Sequence, residues 1–130
     1  MLLCDTNVLS ELARAEPNTG VLAWADTVSA VAVSVVTIEE IAFGVAWRPN
    51  ERVQAFLDDF FDRRCRVLPV TRQIARCGGH LRGSLRSRGI TLSQAGGLIA
   101  GTAQVHGATV VTRNARDFEH CQVPVLNPFT

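Results

Sequence analysis

Residues 30–36 read Ala-Val-Ala-Val-Ser-Val-Val, a run of small and β-branched residues without a single charge. Such a run suits a strand buried on both faces, since a strand with one face in water alternates apolar and polar residues. Covering both faces takes helices, and segments with helical spacing lie on either side. "TNVLSELAR" and "PNTGVLAWADT" precede the run, while "TIEEIAFGVAW" and "NERVQAFLDDFFDRR" follow it. Thr37 reads as the cap of the third segment, with Glu40 three residues later completing a capping box, and Asn50 reads as the cap of the fourth. The rest of the chain repeats the alternation. "MLLCD", "RVLPV", "ATVVT" and "VPVLN" are short strands. "TRQIARCGGHLRGSLRSRG" is an arginine-rich helix interrupted by Gly78 and Gly79, and "NARDFEH" is a turn or short helix. A further helix opens at Ser93 and ends at Gly107, a residue suited to the left-handed position past a helix end. Strands alternating with helices predict an α/β fold over residues 1–130, with a mainly parallel sheet of four to five strands.

Composition narrows what such a fold can do. Hydrophobic residues make up 47% of the chain and charged residues 19%, the balance of a globular core and not of a disordered segment. No apolar run approaches the roughly 18 residues of a membrane span, and no basic stretch precedes a signal-like segment, so a cytoplasmic protein with no membrane partner is expected. Cys4, Cys65, Cys77 and Cys121 are scattered with no paired spacing, which points to buried thiols and not to a disulfide or zinc framework. The net charge of +1 conceals an asymmetry: residues 1–62 hold ten acids and three arginines, while residues 63–116 hold ten arginines and no acid. An acid-free arginine segment is an electrostatic footprint for phosphate or for an acidic partner.

In open parallel sheets, ligands gather beyond the carboxyl ends of the strands. Asp5 ends the first strand, Thr37 to Glu40 follow the second, and Thr112, Asn114 and Asp117 follow "ATVV". Carboxylates converging with Thr and Asn oxygens form a hard-oxygen site suited to Mg²⁺ or Mn²⁺. Each residue also has a plainer role: Asp5 can cap "TNVLSEL", Glu40 can be a capping-box acid, and Asp117 can cap a turn. Glu39 faces another side of its helix, and Glu11 is a surface or supporting group. His80, His106 and His120 show no ligand spacing, and Trp24 and Trp47 read as core residues.

Four segments together resemble the PIN-domain family, most closely the VapC and FitB-like toxins of bacterial toxin–antitoxin pairs. They are "LLCDTNVLSEL", "SVVTIEEIAFG", "GGLIAGTAQVHGATVVTRNARDFE" and "VPVLNPF", in family order and spacing. The resemblance implies a small α/β/α sandwich that acts as a Mg²⁺- or Mn²⁺-dependent ribonuclease. It further implies a homodimer, an RNA substrate, and a cognate antitoxin that inserts into the active-site groove. Carried onto this chain, the acids are Asp5, Glu40 and Asp117, with Thr6, Asn7, Thr112, Asn114 and Glu11 as supporting residues. Arg113, Arg116, Arg82 and Arg86 are candidates to position RNA phosphate.

One family position departs from the pattern. The third acid normally opens the helix written here as "GLIAGTA", and counting back from Leu98, Ile99 and Ala100 puts it at Gly96. A glycine there costs the helix roughly 1 kcal/mol relative to alanine and supplies no capping-box carboxylate. Three accounts of the gap are open: an aspartate converted to glycine by a single base change, a PIN domain kept for binding, or an enzyme using another acid. Residues 63–116 contain no acid to recruit.

Overall fold

The computed structural model describes residues 1–130 as five strands and seven helices. β1 (Leu2–Cys4) leads to α1 (Thr6–Leu12) and α2 (Thr19–Ala25), and β2 (Val31–Ser34) leads to α3 (Val35–Trp47) and α4 (Glu51–Arg63). β3 (Cys65–Leu68) is followed by α5 (Arg72–Ser87) and α6 (Gln94–His106). β4 (Thr109–Val111), α7 (Ala115–Phe118) and β5 (Val125–Leu126) close the chain. The strands form one sheet in the order β3-β2-β1-β4-β5, and every neighbouring pair is parallel. The α/β class and the parallel sheet are as the sequence predicts. The chain builds outward from β1 to β3, then returns to place β4 on the other side of β1. The β1/β4 pair is therefore the switch point, where a crevice opens beyond the strand ends.

Two apolar cores flank the sheet, and alternate residues of each strand feed opposite sides. Cys4, Val31, Val33 and Val111 pack with Leu9 and Leu12 of α1, Val21 of α2, Ile41 of α3 and Leu57 and Phe60 of α4. Leu3, Ala32 and Val110 pack with Leu85 of α5, Ile99, Ala100 and Ala103 of α6 and Phe118 of α7. The period of two along a strand divides them, which yields the α/β/α layering.

The structure corrects three local readings and decides a fourth. α3 begins at Val35, and its cap is Ser34, whose hydroxyl accepts from the Val36 N–H at 3.1 Å; Thr37 does not cap it. β2 therefore stops before the two valines that its composition suggested it would include. α5 runs unbroken through Gly78 and Gly79. A Cβ on Gly78 would stand 2.7 Å from the Gly97 carbonyl oxygen, and one on Gly101 would stand 2.9 Å from the Gly78 nitrogen. Gly78 and Gly101 let the α5 and α6 backbones touch, so they are packing residues and not breaks. Trp47 is 68% exposed and lies beside Phe43, at 63%, so it is no core residue; Trp24 is half-buried against the core. Of the two readings left open for Glu11, surface or supporting group, its burial excludes the first. The four cysteines are free thiols, and no helix is long and apolar enough to cross a membrane.

Candidate active site

The turn from β1 into α1 sets the site. Asp5 is the N-cap of α1, its Oδ1 accepting from the Thr6 N–H at 2.8 Å. Its other oxygen, Oδ2, accepts from the Thr112 hydroxyl at 2.9 Å and from Asn7 Nδ2 at 3.2 Å. One carboxylate therefore both caps α1 and lines the cleft described below. Thr112, fully buried at the end of β4, also accepts from the Asn114 N–H at 2.9 Å and from Asn7 Nδ2 at 3.3 Å. Asn7 Oδ1 accepts from the Arg113 N–H at 3.0 Å, which ties the loop after β4 to α1.

Glu40 reaches the same place from α3. The Thr6 hydroxyl donates to Glu40 Oε1 at 2.7 Å and lies 3.2 Å from the hydroxyl of the buried Thr37. Asp117 arrives on α7, one turn past Asn114. Asp5, Glu40, Asp117 and Gly96 line one cleft of about 430 Å³, with Thr6, Asn7 and Asn114 on its walls. Burial pushes the Asp5 carboxyl above its ordinary range, and the charges of Glu40 and Asp117 push it the same way; hydrogen bonds from Thr112 and Thr6 partly oppose them. Asp5 thus senses the other two acids across the cleft.

Gly96 forms part of the cleft wall. The Ser93 hydroxyl caps α6 by accepting the Gly96 N–H at 2.9 Å. A Cβ on Gly96 would meet only side-chain atoms, Leu92 Cδ1 at 2.9 Å and Ser93 Oγ at 3.1 Å. A small shift of the Leu92 methyl admits a side chain there. Nothing in the packing demands glycine at 96, whereas its neighbour Gly97 is held against Arg82 and Gly78.

The donors around the cleft are the oxygens that Mg²⁺ or Mn²⁺ prefer. No three carboxylate, imidazole or thiolate groups lie close enough together to form a metal cage. The oxygens present are of the chemistry such an ion takes, and Gly96 adds none to its part of the cleft wall.

Other expected residues lie elsewhere. Glu11 accepts from the Asn18 N–H at 2.8 Å and from Arg14 Nη1 at 3.0 Å, and these bonds hold its carboxyl below the usual range. It ties α1 to the start of α2 and does not border the cleft. Arg113 stacks its guanidinium 5.0 Å from the Phe129 ring, and Arg116 is exposed on α7 beside Asp117. Arg82 and Arg86 line a separate recess on α5. Sequence reasoning missed Ser10, and it saw Ser93 only as a helix cap. Both border the cleft, and the helical spacing of Ser10 from Thr6 and Asn7 is the signal that could have found it.

Residues 2–123 match the family model for the PIN domain. The chain is 33% identical to the VapC ribonuclease Y4jK of Sinorhizobium fredii (strain NBRC 101917 / NGR234), covering 99% of this chain and 98% of that protein. It is 34% identical to toxin FitB of Neisseria gonorrhoeae (strain ATCC 700825 / FA 1090), over 99% of both. Among solved structures, FitAcB from Neisseria gonorrhoeae superposes with a TM-score of 0.85 at 34% identity, over 98% of each chain. DNA-bound VapBC from Salmonella typhimurium gives 0.86 at 25% identity, over 98% of this chain and 97% of that one.

Proposed function

The chain belongs to the PIN-domain family, and from that premise we propose that it is a VapC-like toxin built to hydrolyse RNA phosphodiester bonds, impaired here by Gly96. The observation that carries the reading is the single cleft lined by Asp5, Glu40 and Asp117, with Gly96 in its wall. Asp5, Glu40 and Asp117 would hold Mg²⁺ or Mn²⁺. When bound, such an ion lowers the pKa of a water and stabilises charge on a phosphodiester.

The chain's own residues set the geometry. Thr6, Asn7 and Thr112 fix both oxygens of Asp5, and Thr6 aims Glu40 at the same cleft. Arg113 and Arg116, in the segment between Thr112 and Asp117, would supply positive charge that draws phosphate toward a negative cleft. Position 96 lies on the cleft wall, where an aspartate would add the missing oxygen ligand. Losing one such ligand lowers rates by factors of roughly 10² or more.

A cognate antitoxin is part of the proposal. A groove of about 600 Å³ between α1, α3 and α4 is lined by Ile41, Val45, Leu57 and Arg52, and it includes Glu40. Because Glu40 also borders the acid cleft, a segment lying in the groove would reach the carboxylates, and an arginine on it would pair with them. The structures of FitAcB and VapBC, each a toxin–antitoxin complex, support this partner. A homodimer is proposed from the family resemblance, and a cytoplasmic location goes with the proposed RNA substrate.

A second reading is favoured by the incomplete ligand set: a catalytically inert PIN domain that binds RNA or antitoxin. Expressing this chain and its Gly96→Asp variant separates the two. We expect Gly96→Asp alone to arrest growth and to cleave RNA with Mg²⁺ or Mn²⁺. If both forms are harmless and neither cleaves RNA, the binding reading replaces the enzyme; if the Gly96 chain cleaves as well as Gly96→Asp, the role given to position 96 is wrong.

A further inference from the structure

The glycines of α5 and of the α6 face against it fall into two groups. Gly78, Gly97 and Gly101 sit at close approaches that a Cβ would violate, but Gly79 and Gly83 are exposed and a Cβ on either meets nothing within 4 Å. Each of that exposed pair costs the helix roughly 1 kcal/mol relative to alanine. They are one turn apart and leave α5 bare along one strip. That strip is the floor of a recess of about 260 Å³, whose walls include Arg82, Arg86, Thr91 and Leu92.

Arg82 is held at the rim. Its Nε donates to the Leu92 carbonyl at 3.2 Å. Its stem lies over Gly97, where a Cβ would come within 2.6 Å of Arg82 Cδ and 2.7 Å of Cγ. The glycine at 97 therefore seats this arginine. The terminal nitrogens of Arg82 are left for an outside acceptor, and neither Arg82 nor Arg86 forms an ion pair within the chain. The recess adjoins the acid cleft at Leu92, which lines the recess while its methyl faces Gly96 in the cleft wall.

We propose that this recess is a phosphate subsite for the RNA backbone, in which Arg82 and Arg86 grip a phosphate other than the scissile one. The inference rests on the reading that the acid cleft takes RNA. Two guanidinium forks match phosphate oxygens bidentately, Thr91 adds a hydroxyl, and the two bare glycines let the strand lie close to the helix. A strand anchored here enters the cleft past Leu92 with a fixed polarity. This arrangement offsets the repulsion between RNA and the three carboxylates from outside the acid cleft.

The test is binding of a fluorescein-labelled, uridine-rich single-stranded RNA to the full chain as salt is raised, with Ca²⁺ replacing Mg²⁺ to suppress cleavage. Arg86→Ala, which removes no hydrogen bond of the fold, and the Arg82→Ala/Arg86→Ala pair are compared with Arg72→Ala/Arg76→Ala on the same helix. We expect the recess variants to bind roughly tenfold more weakly at low salt, with the salt slope reduced by about 0.7 for each phosphate no longer neutralised. The Arg72/Arg76 pair should stay close to the parent chain. An equal loss in both pairs would reduce the recess to diffuse attraction, and no loss in the recess variants would remove it altogether; either overturns the subsite and leaves the nuclease reading intact. If the parent chain and Gly96→Asp neither bind nor cleave RNA, both readings fall together.

Discussion

Thr112 donates its hydroxyl to Asp5 Oδ2 at 2.9 Å, joining the ends of β4 and β1 across 107 positions of sequence. This bond is the main opponent of the burial that raises the Asp5 carboxyl. Thr112→Val keeps the shape of the fully buried side chain but removes that donor, along with the acceptor used by Asn7 and Asn114. NMR titration of the Asp5 carboxyl should show its pKa moving further upward. A pKa that stays put or falls would mean the hydroxyl does not stabilise the charged form.

The raised Asp5 carboxyl has a stability consequence. The folded chain holds this proton more tightly than the unfolded chain, so stability falls as pH rises from the ordinary value of 3.8 through the folded value. Gly96→Asp adds a further acid to the cleft and should steepen that fall. Without metal, Gly96→Asp should melt below the parent at neutral pH. Mn²⁺ should then raise its melting temperature more than the parent's, with about 2.7 kcal/mol gained at a hundredfold excess over Kd. Gly96→Ala, which repairs helix propensity alone, should show neither effect. Identical Mn²⁺ responses in all three chains would detach position 96 from the metal site.

Neighbouring glycines on α5 should respond in opposite directions. Gly78→Ala drives a Cβ to within 2.7 Å of the Gly97 carbonyl oxygen and should destabilise by about 1–3 kcal/mol in urea unfolding. Gly79→Ala enters open space and should stabilise by up to about 1 kcal/mol. Equal effects at the two positions would contradict the close approach of α5 and α6.

Glu11 should behave as a structural acid. Glu11→Ala leaves the Asn18 N–H without its partner, a loss of roughly 1–3 kcal/mol. Because its folded pKa is depressed below 4.5, the contribution is full above that value and is lost as pH falls through the folded one. In the Gly96→Asp background, Glu11→Ala should lower thermal stability and leave kcat unchanged at a temperature where the fold is intact. A large drop in kcat with unaltered melting would move Glu11 into the catalytic machinery.

The β-branched runs between helical segments specified a parallel α/β sheet, because burial on both faces leaves no room for polar alternation. Asp5, Glu40 and Asp117 were placed at strand ends by that topology, and the gap at Gly96 stood out against the pattern of the family that the chain resembles. The contacts at the site were not legible. Sequence spacing suggested Thr37 as a cap, yet Ser34 caps α3 and Thr37 lies buried beside Thr6. Gly78 looked like a break in its helix, and only the packing of α5 on α6 makes it necessary. Trp47 looked like core, yet it lies exposed beside Phe43. Periodicity and strand-end position are local properties that a sequence displays directly. Helix separation, the partners of Asp5 and the Leu92 boundary between cleft and recess depend on atoms far apart in the chain, so only the tertiary structure decides them.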